Sequence, residues 1–365
     1  MSGSIGAAGP SDYSLMNTLV GDGAQIKQKL DELTTQASDG LVSTTYAGLG
    51  SGAAISLNLE PQISALQTWQ NNINDASGNM QVAQTALTQL QSIASSFYSQ
   101  LPNLNGLSAT EVDSVAAQAQ QALSQVADLL DTQDGGVYVF GGQDSSNPPV
   151  PDPDQITSSG FYTQINGAVA GLAANGAAAT AASTLAIASD NTPGTSPFSA
   201  YMSQPAAALQ GQTPSIQIGP GQTVSVGILA STNAAVTSTG SSTTGSYTRD
   251  LMMSLATIGS LSSSQMNDPG FAGLVQDTYT TLGGAIGAMG EDAGVLGNTQ
   301  TTLTTTGTTL TDTANALTTQ VSSAQDVDMA QTLSNLTLVQ TQLQASYQII
   351  AATSGLSLAK FLPAG

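Results

Sequence analysis

Two kinds of residue grouping in this sequence have the makings of chemistry. Residues 135–150, GGVYVFGGQDSSNPPV, place Gly136 and Gly141 at the spacing of a phosphate-binding loop. Such a loop needs Lys and then Ser or Thr directly after the second glycine, so that an ammonium answers the phosphate charge; here Gly142 and Gln143 follow. The segment also runs into prolines instead of a helix N-terminus, whose dipole would hold an anion. The same residues read fully as a hairpin. Asp134 and Gly135 signal a turn, VYVF a strand, and Gly141 with Gly142 permits the positive φ of the next turn. The second grouping is the carboxylate pairs Asp152/Asp154, Glu291/Asp292 and Asp326/Asp328, which have the composition of an acid and base for glycoside cleavage. None sits among aromatic residues that would stack a sugar, and none completes a calcium loop. Asp326 and Asp328 suit a helix start, where a carboxylate offsets the N-terminal dipole.

Composition removes most other chemistry. The 365 residues contain no Cys and no His, so thiolate and imidazole nucleophiles, His-based triads and Cys/His zinc sites are excluded. The sequence therefore predicts no catalytic residue, no cofactor and no metal. Against 24 Asp and Glu stand 4 Lys and Arg, namely Lys27, Lys29, Arg249 and Lys360, for a net charge of −20. A chain so poor in cations has no means of neutralising a run of phosphates, so no nucleic-acid partner is expected. No stretch is apolar enough to span a membrane, so the chain is not expected to be membrane-inserted. The segment MSGSIGAAGPSDYSLMN lacks the basic and apolar regions of a secretory signal peptide. Ser, Thr, Gln, Asn, Gly and Ala fill the positions that charge usually takes, which fits an exposed extracellular protein.

The elements that would carry these groups are mostly long helices. Leu66, Ile73, Met80, Leu87, Ala94 and Leu101 recur every seven residues, and Trp69, Ala76, Ala83, Leu90, Phe97 and Leu104 follow three residues later. That pattern is a coiled-coil seam, and it predicts a helix over residues 57–101, about 65 Å long. Pro102 ends it. A second helix in the same period, through Val112, Ala119 and Val126, is expected to pack antiparallel to the first and to end near DTQDGG. Residues 151–245 change to Pro-, Ala/Gly- and Ser/Thr-rich composition. Within them Ile216, Ile218, Val224, Val226 and Ile228 alternate around Gly-Pro-Gly, which predicts a hairpin in a small, loosely packed β domain. Helical period returns at TRDLMMSLATIGSL, and beyond it Leu296, Leu303, Leu310, Leu317 and Ala324 recur every seven residues, despite intervening threonines that weaken helix propensity. It then restarts in a shifted register at Met329, Leu333, Leu336, Leu343, Tyr347 and Ile350, so a bend is expected near Gln325. At the front, Leu15, Leu19, Ile26, Leu30 and Leu33 form a matching stripe, and pairing of the two chain ends is the simplest way to bury both.

The C-terminal run SSAQDVDMAQTLSNLTLVQTQLQASYQIIAATSGLSLAKFL resembles the C-terminal signature of the flagellin superfamily. Asp326, Asp328, Met329, Ala330, Gln340, Gln344, Ala345, Ser346, Tyr347, Leu356, Ser357 and Leu358 carry the match. WQNNINDASGNMQVAQTALTQLQSIASSF is similar to the family's N-terminal helix. Within the superfamily, Gly136, Tyr138, Phe140, Gly142, Pro148 and Pro149 resemble the hairpin and proline pair of subunits at the junction of hook and filament. The resemblance covers the helical ends and not the insert. It departs from the family at SDGLVSTTYAGLGSGAA, which lacks the usual Arg and paired Asp, so polar or apolar contacts must replace those charges.

The expected fold is mainly α, with long antiparallel coiled-coil helices formed by both chain ends and a small β-rich domain inserted in the middle. The expected segments are 1–55 and 325–365 as assembly helices, 56–150 and 246–324 as the two halves of a helical rod, and 151–245 as the outer insert. Leu66, Trp69, Ile73, Met80, Leu87, Leu90, Phe97, Leu296, Leu303, Leu310 and Leu317 would form the rod core. The two terminal stripes would form the assembly interface. The resemblance implies a non-enzymatic structural subunit of the bacterial flagellum that joins hook to filament, or else a filament flagellin. It implies as partners other copies of itself, a neighbouring hook-associated protein and flagellin, the flagellar export apparatus and an export chaperone. It also implies an extracellular location reached without a cleaved signal peptide, and terminal helices that order on docking. A secreted carbohydrate-binding or hydrolytic module built on the insert is the reading from a different class.

Overall fold

A computed structural model describes residues 11–359. In chain order the helices are α1 (Ser11–Asp39), α2 (Gly52–Gln100), α3 (Ala109–Leu130), α4 (Gly160–Ala170), α5 (Leu172–Ser189), α6 (Ala206–Leu209), α7 (Tyr247–Gly259), α8 (Phe271–Gln325) and α9 (Met329–Ala359). Two antiparallel hairpins complete the fold: β1 (Gln133–Asp134) with β2 (Val137–Tyr138), and β3 (Ser215–Gly219) with β4 (Gln222–Ser225). The chain is mainly α, with long helices from both ends packed together and a small two-stranded sheet in the middle, which is the architecture expected from the heptads. It divides into two compact units, one formed by residues up to Ala65 and from Asp312 onward, the other by Leu66–Thr311.

In the larger unit most of the heptad positions lie in one buried apolar core. Ile73, Met80, Leu87, Leu90, Leu296 and Leu303 are each at most 3% exposed; Leu66 and Phe97 are buried; Trp69 and Leu310 are half-buried. Ser108 and Glu111 cap α3 reciprocally, the side chain of each bonding toward the backbone of the other. α2 and α3 flank one groove, lined by Ser92, Ser96 and Gln100 on one side and by Gln125, Gln121 and Gln118 on the other. α3 also packs closely on α7, every residue of which is buried. The threonine-rich stretch is helical throughout because each hydroxyl from Thr301 to Thr309 that faces outward donates to the carbonyl four residues back, as from Thr305 to Thr301 at 2.9 Å. A hydroxyl bonded in this way no longer competes for the backbone, and the leucines supply the burial that Thr does not.

The insert holds more helix than its composition suggested. The β3–β4 hairpin forms as its alternation predicts, with Ile218 and Val226 buried. α4 and α5 share the segment, and the run NGAAATAAS, expected as loosely packed, lies in α5. Alanine has the highest helix propensity of any residue, and Gly176, at φ 76°, kinks α5 just before the alanines.

Candidate assembly surfaces and hairpin

The hairpin at residues 133–138 is built by its glycines. Gln133 pairs with Tyr138 and Asp134 with Val137, leaving Gly135 and Gly136 as a two-residue turn at φ 57° and 86°. Positive φ at both positions is the type I′ geometry, whose twist matches that of the flanking strands. The strand is shorter than VYVF predicts. It ends at Tyr138, and Phe140 instead turns inward to 1% exposure, its carbonyl accepting from the Ala230 N–H at 3.1 Å. Gly141 has φ −76° and only Gly142 is left-handed, at 62°. A Cβ on Gly142 would lie 2.4 Å from Leu229 Cδ2. At the hairpin base Asp131 accepts from the Val150 N–H at 2.9 Å. Burial pushes its carboxyl up to about 6, and neighbouring Asp128 adds to the effect while the Val150 bond opposes it.

The carboxylate pairs do not converge on a site. Asp328 caps α9, accepting from the N–H groups of Ala330 and Gln331. Asp292 is fully buried and accepts from the N–H groups of Ala234 and Ala235 at 2.7 and 2.8 Å, whereas Glu291 beside it is exposed. Burial first, and then Asp292, hold the Tyr247 hydroxyl well above its ordinary range. Of the insert's aromatics, Phe161, Tyr162 and Phe198 belong to the core and offer no face to a sugar. Among the described residues no group of three His, Cys, Asp or Glu is placed to hold a metal.

The terminal unit is built differently. α1 and α9 pack along their length, with Leu33 buried at 4% and Leu19, Ile26 and Leu30 half-buried. The side chain of Leu15 lies outside the described residues. On α9 the covered positions are Thr332, Leu336, Val339, Leu343, Ser346 and Ile350, alternating in steps of four and three. A Cβ on Gly23 would sit 3.4 Å from Ser346 Oγ and 3.8 Å from Ile350 Cδ1, so the two helices come close there through small residues. Leu336, Leu343 and Ile350 of the sequence-derived stripe thus face this seam. Met329, Leu333 and Tyr347 do not; they are 41%, 49% and 54% exposed. The apolar repeat on α9 is wide enough for two stripes, and α1 covers one. Thr332, Ser346 and Gly23 are small or polar and carry no apolar period, and Val339 between Thr332 and Ser346 has no apolar neighbour in its own seven-residue series. Leu317, read as rod core, is half-buried in this unit.

The stretch that lacks the usual charges is held by backbone and amides. Leu41 bridges to Asp326, with Val42 N donating to Gln325 O at 2.7 Å and Val327 N to Gly40 O at 3.0 Å. Gln325 Nε2 donates to Ser56 Oγ and to Glu60 Oε1, and the Tyr46 hydroxyl donates to Glu60 Oε2 at 2.6 Å. The bend expected near Gln325 is therefore a fixed joint between α8 and α9, tied to the chain leaving α1. No described helix is long and apolar enough to cross a membrane.

Two family models match the chain. The bacterial flagellin N-terminal helical region matches residues 13–145 and the bacterial flagellin C-terminal helical region matches residues 279–362. A search of curated proteins finds no match. The two matched regions take in α1 to α3 and the first hairpin at one end and most of α8 with α9 at the other; residues 146–278, with α4 to α7 and the second hairpin, lie outside them. The matched regions cover more than half of the sequence in the expected order, and the chain belongs to the flagellin superfamily, the structural subunits of the bacterial flagellum.

Proposed function

We propose that this chain joins hook to filament, assembling with neighbouring subunits through its terminal helices. The observation that carries this reading is the tight hairpin with Tyr138 and inward-turned Phe140, followed by Pro148 and Pro149. Its turn leaves Val137 39% exposed at a rigid position, as a contact surface requires. In the assembly the α1 stripe closes on Leu336, Leu343 and Ile350 within the chain, and the second stripe of α9, Met329, Leu333 and Tyr347, meets the neighbours. A helix apolar on more than one face needs more than one neighbour, and further copies or flagellin supply it. In this reading residues 151–245 form an outer domain. The chain leaves through the flagellar export apparatus, escorted by a chaperone and without a cleaved signal.

Deleting the gene and imaging the cells tests the role. Hooks that secrete flagellin into the medium but bear no filament are the expected result. Bare hooks with no flagellin secreted or made would point to the filament subunit instead. Normal filaments and swimming would contradict both.

A further inference from the structure

The larger unit contains a cavity of about 830 Å³ that the assembly reading does not use. It is lined mainly by hydroxyl, amide and backbone groups, among them Asn191, Thr232, Asn233, Thr244 and Ser246. Arg249, the one guanidinium in the chain, also lines it, at only 8% exposure. The guanidinium donates to Ala188 O at 3.0 Å and to Asn191 Oδ1 at 2.8 Å, and lies 5.0 Å from the centre of the Phe198 ring. No carboxylate pairs with it among the described residues, and its remaining N–H groups take no partner there. Asp292, the cavity's carboxylate, already has an N–H bound to each oxygen. A buried cation with spare donors and no counter-charge, in a chain with 24 acidic residues, is a strong local asymmetry.

We propose that this cavity binds a small polyhydroxylated carboxylate of sugar-acid size. The planar guanidinium offers a fork matched to a carboxylate, and a charge-assisted pair is strongest where water is excluded. The volume falls within the range of small-molecule sites, and the polar lining selects a hydroxylated body over an apolar one. No aromatic residue lines the cavity, so recognition depends on the acid group and on hydrogen bonds, not on ring stacking. This site is independent of which flagellar position the subunit takes.

The test is calorimetric titration of the full chain with D-glucuronate, a short uronate oligomer and D-glucose. Saturable uptake of glucuronate, weakened by salt and absent for glucose, is expected; uptake of the oligomer alone would contradict a site of sugar-acid size. Arg249→Gln should weaken uptake by about tenfold or more, as loss of one charge-assisted pair implies. Arg249→Lys keeps the charge without the fork and should retain part of it. Because Arg249 also ties down the end of α5, Ala207→Trp, on the exposed rim, supplies a variant that blocks the cavity and leaves the melting temperature unchanged. No uptake of either acid, equal uptake of glucose, or uptake indifferent to Ala207→Trp would overturn the proposal.

Discussion

The two units bury the same kind of residue to different depths. In the larger one, Leu90, Leu123, Met252 and Leu303 are at most 1% exposed, and helices, hairpins and loops close over them from several sides. In the terminal one, α1 and α9 have little besides each other. Leu33 is deeply buried, and Val20, Leu333, Leu338 and Tyr347 remain about half exposed. The sequences are equally heptad-like, so periodicity alone does not say whether a helix is finished. What differs is the number of neighbours. A core surrounded by its own chain is stable alone; in the assembly proposed above, a two-helix pair with a second apolar stripe is completed by other molecules, and part of the contact energy then goes into ordering it.

The contrast can be broken most severely at Leu333 and Tyr347. Replacing both with Glu should abolish polymerisation while changing monomer stability by no more than about 0.5 kcal/mol, as expected for exposed positions; sedimentation and thermal melting read the two effects. The reverse holds in the larger unit. Leu123→Ala leaves a cavity among fully buried neighbours and should cost about 2–5 kcal/mol in denaturant unfolding of the monomer. A loss no larger than that of the α9 variant would erase the distinction between the units. Gly142→Ala should cost about 1–3 kcal/mol, because it puts a Cβ at positive φ and against Leu229. The smallest effect is that of pH. Asp131 binds its proton more tightly folded, near 6, than unfolded, near 3.8, so its contribution is fully present below the lower value and is lost as pH rises through the higher one. The melting temperature of the larger unit should therefore fall between about pH 4 and 6.5, and Asp131→Asn, which keeps an oxygen for the Val150 N–H, should flatten that slope.

Much of the fold was legible because large apolar residues at a fixed period leave few alternatives. The rod helices, the stop at Pro102, the break near Gln325 and the β3–β4 hairpin all follow from spacing or turn residues. α4 and α5 were not legible, since Ala-, Gly- and Ser-rich runs serve helix and loop alike until neighbours such as Ile165 and Val169 find a core. Half of the α9 stripe, Leu336, Leu343 and Ile350, faces the seam as its period implies; the accompanying series through Leu333 and Tyr347 lies one position from the seam residues Thr332, Val339 and Ser346, because its large side chains point outward. Small Gly23 and Ser346 set the close approach, and smallness carries no periodic signal. Among the hairpin glycines, Gly135, Gly136 and Gly142 carry the positive φ, and Gly141 does not.

Hydrogen exchange, compared between monomer and polymer, tests the central claim most directly. The account predicts that amides of α1 and α9 exchange quickly in the monomer and slowly in the polymer, while α3, α7 and the core face of α2 are protected equally in both. Strong, equal protection of α1 and α9 in the monomer would contradict it.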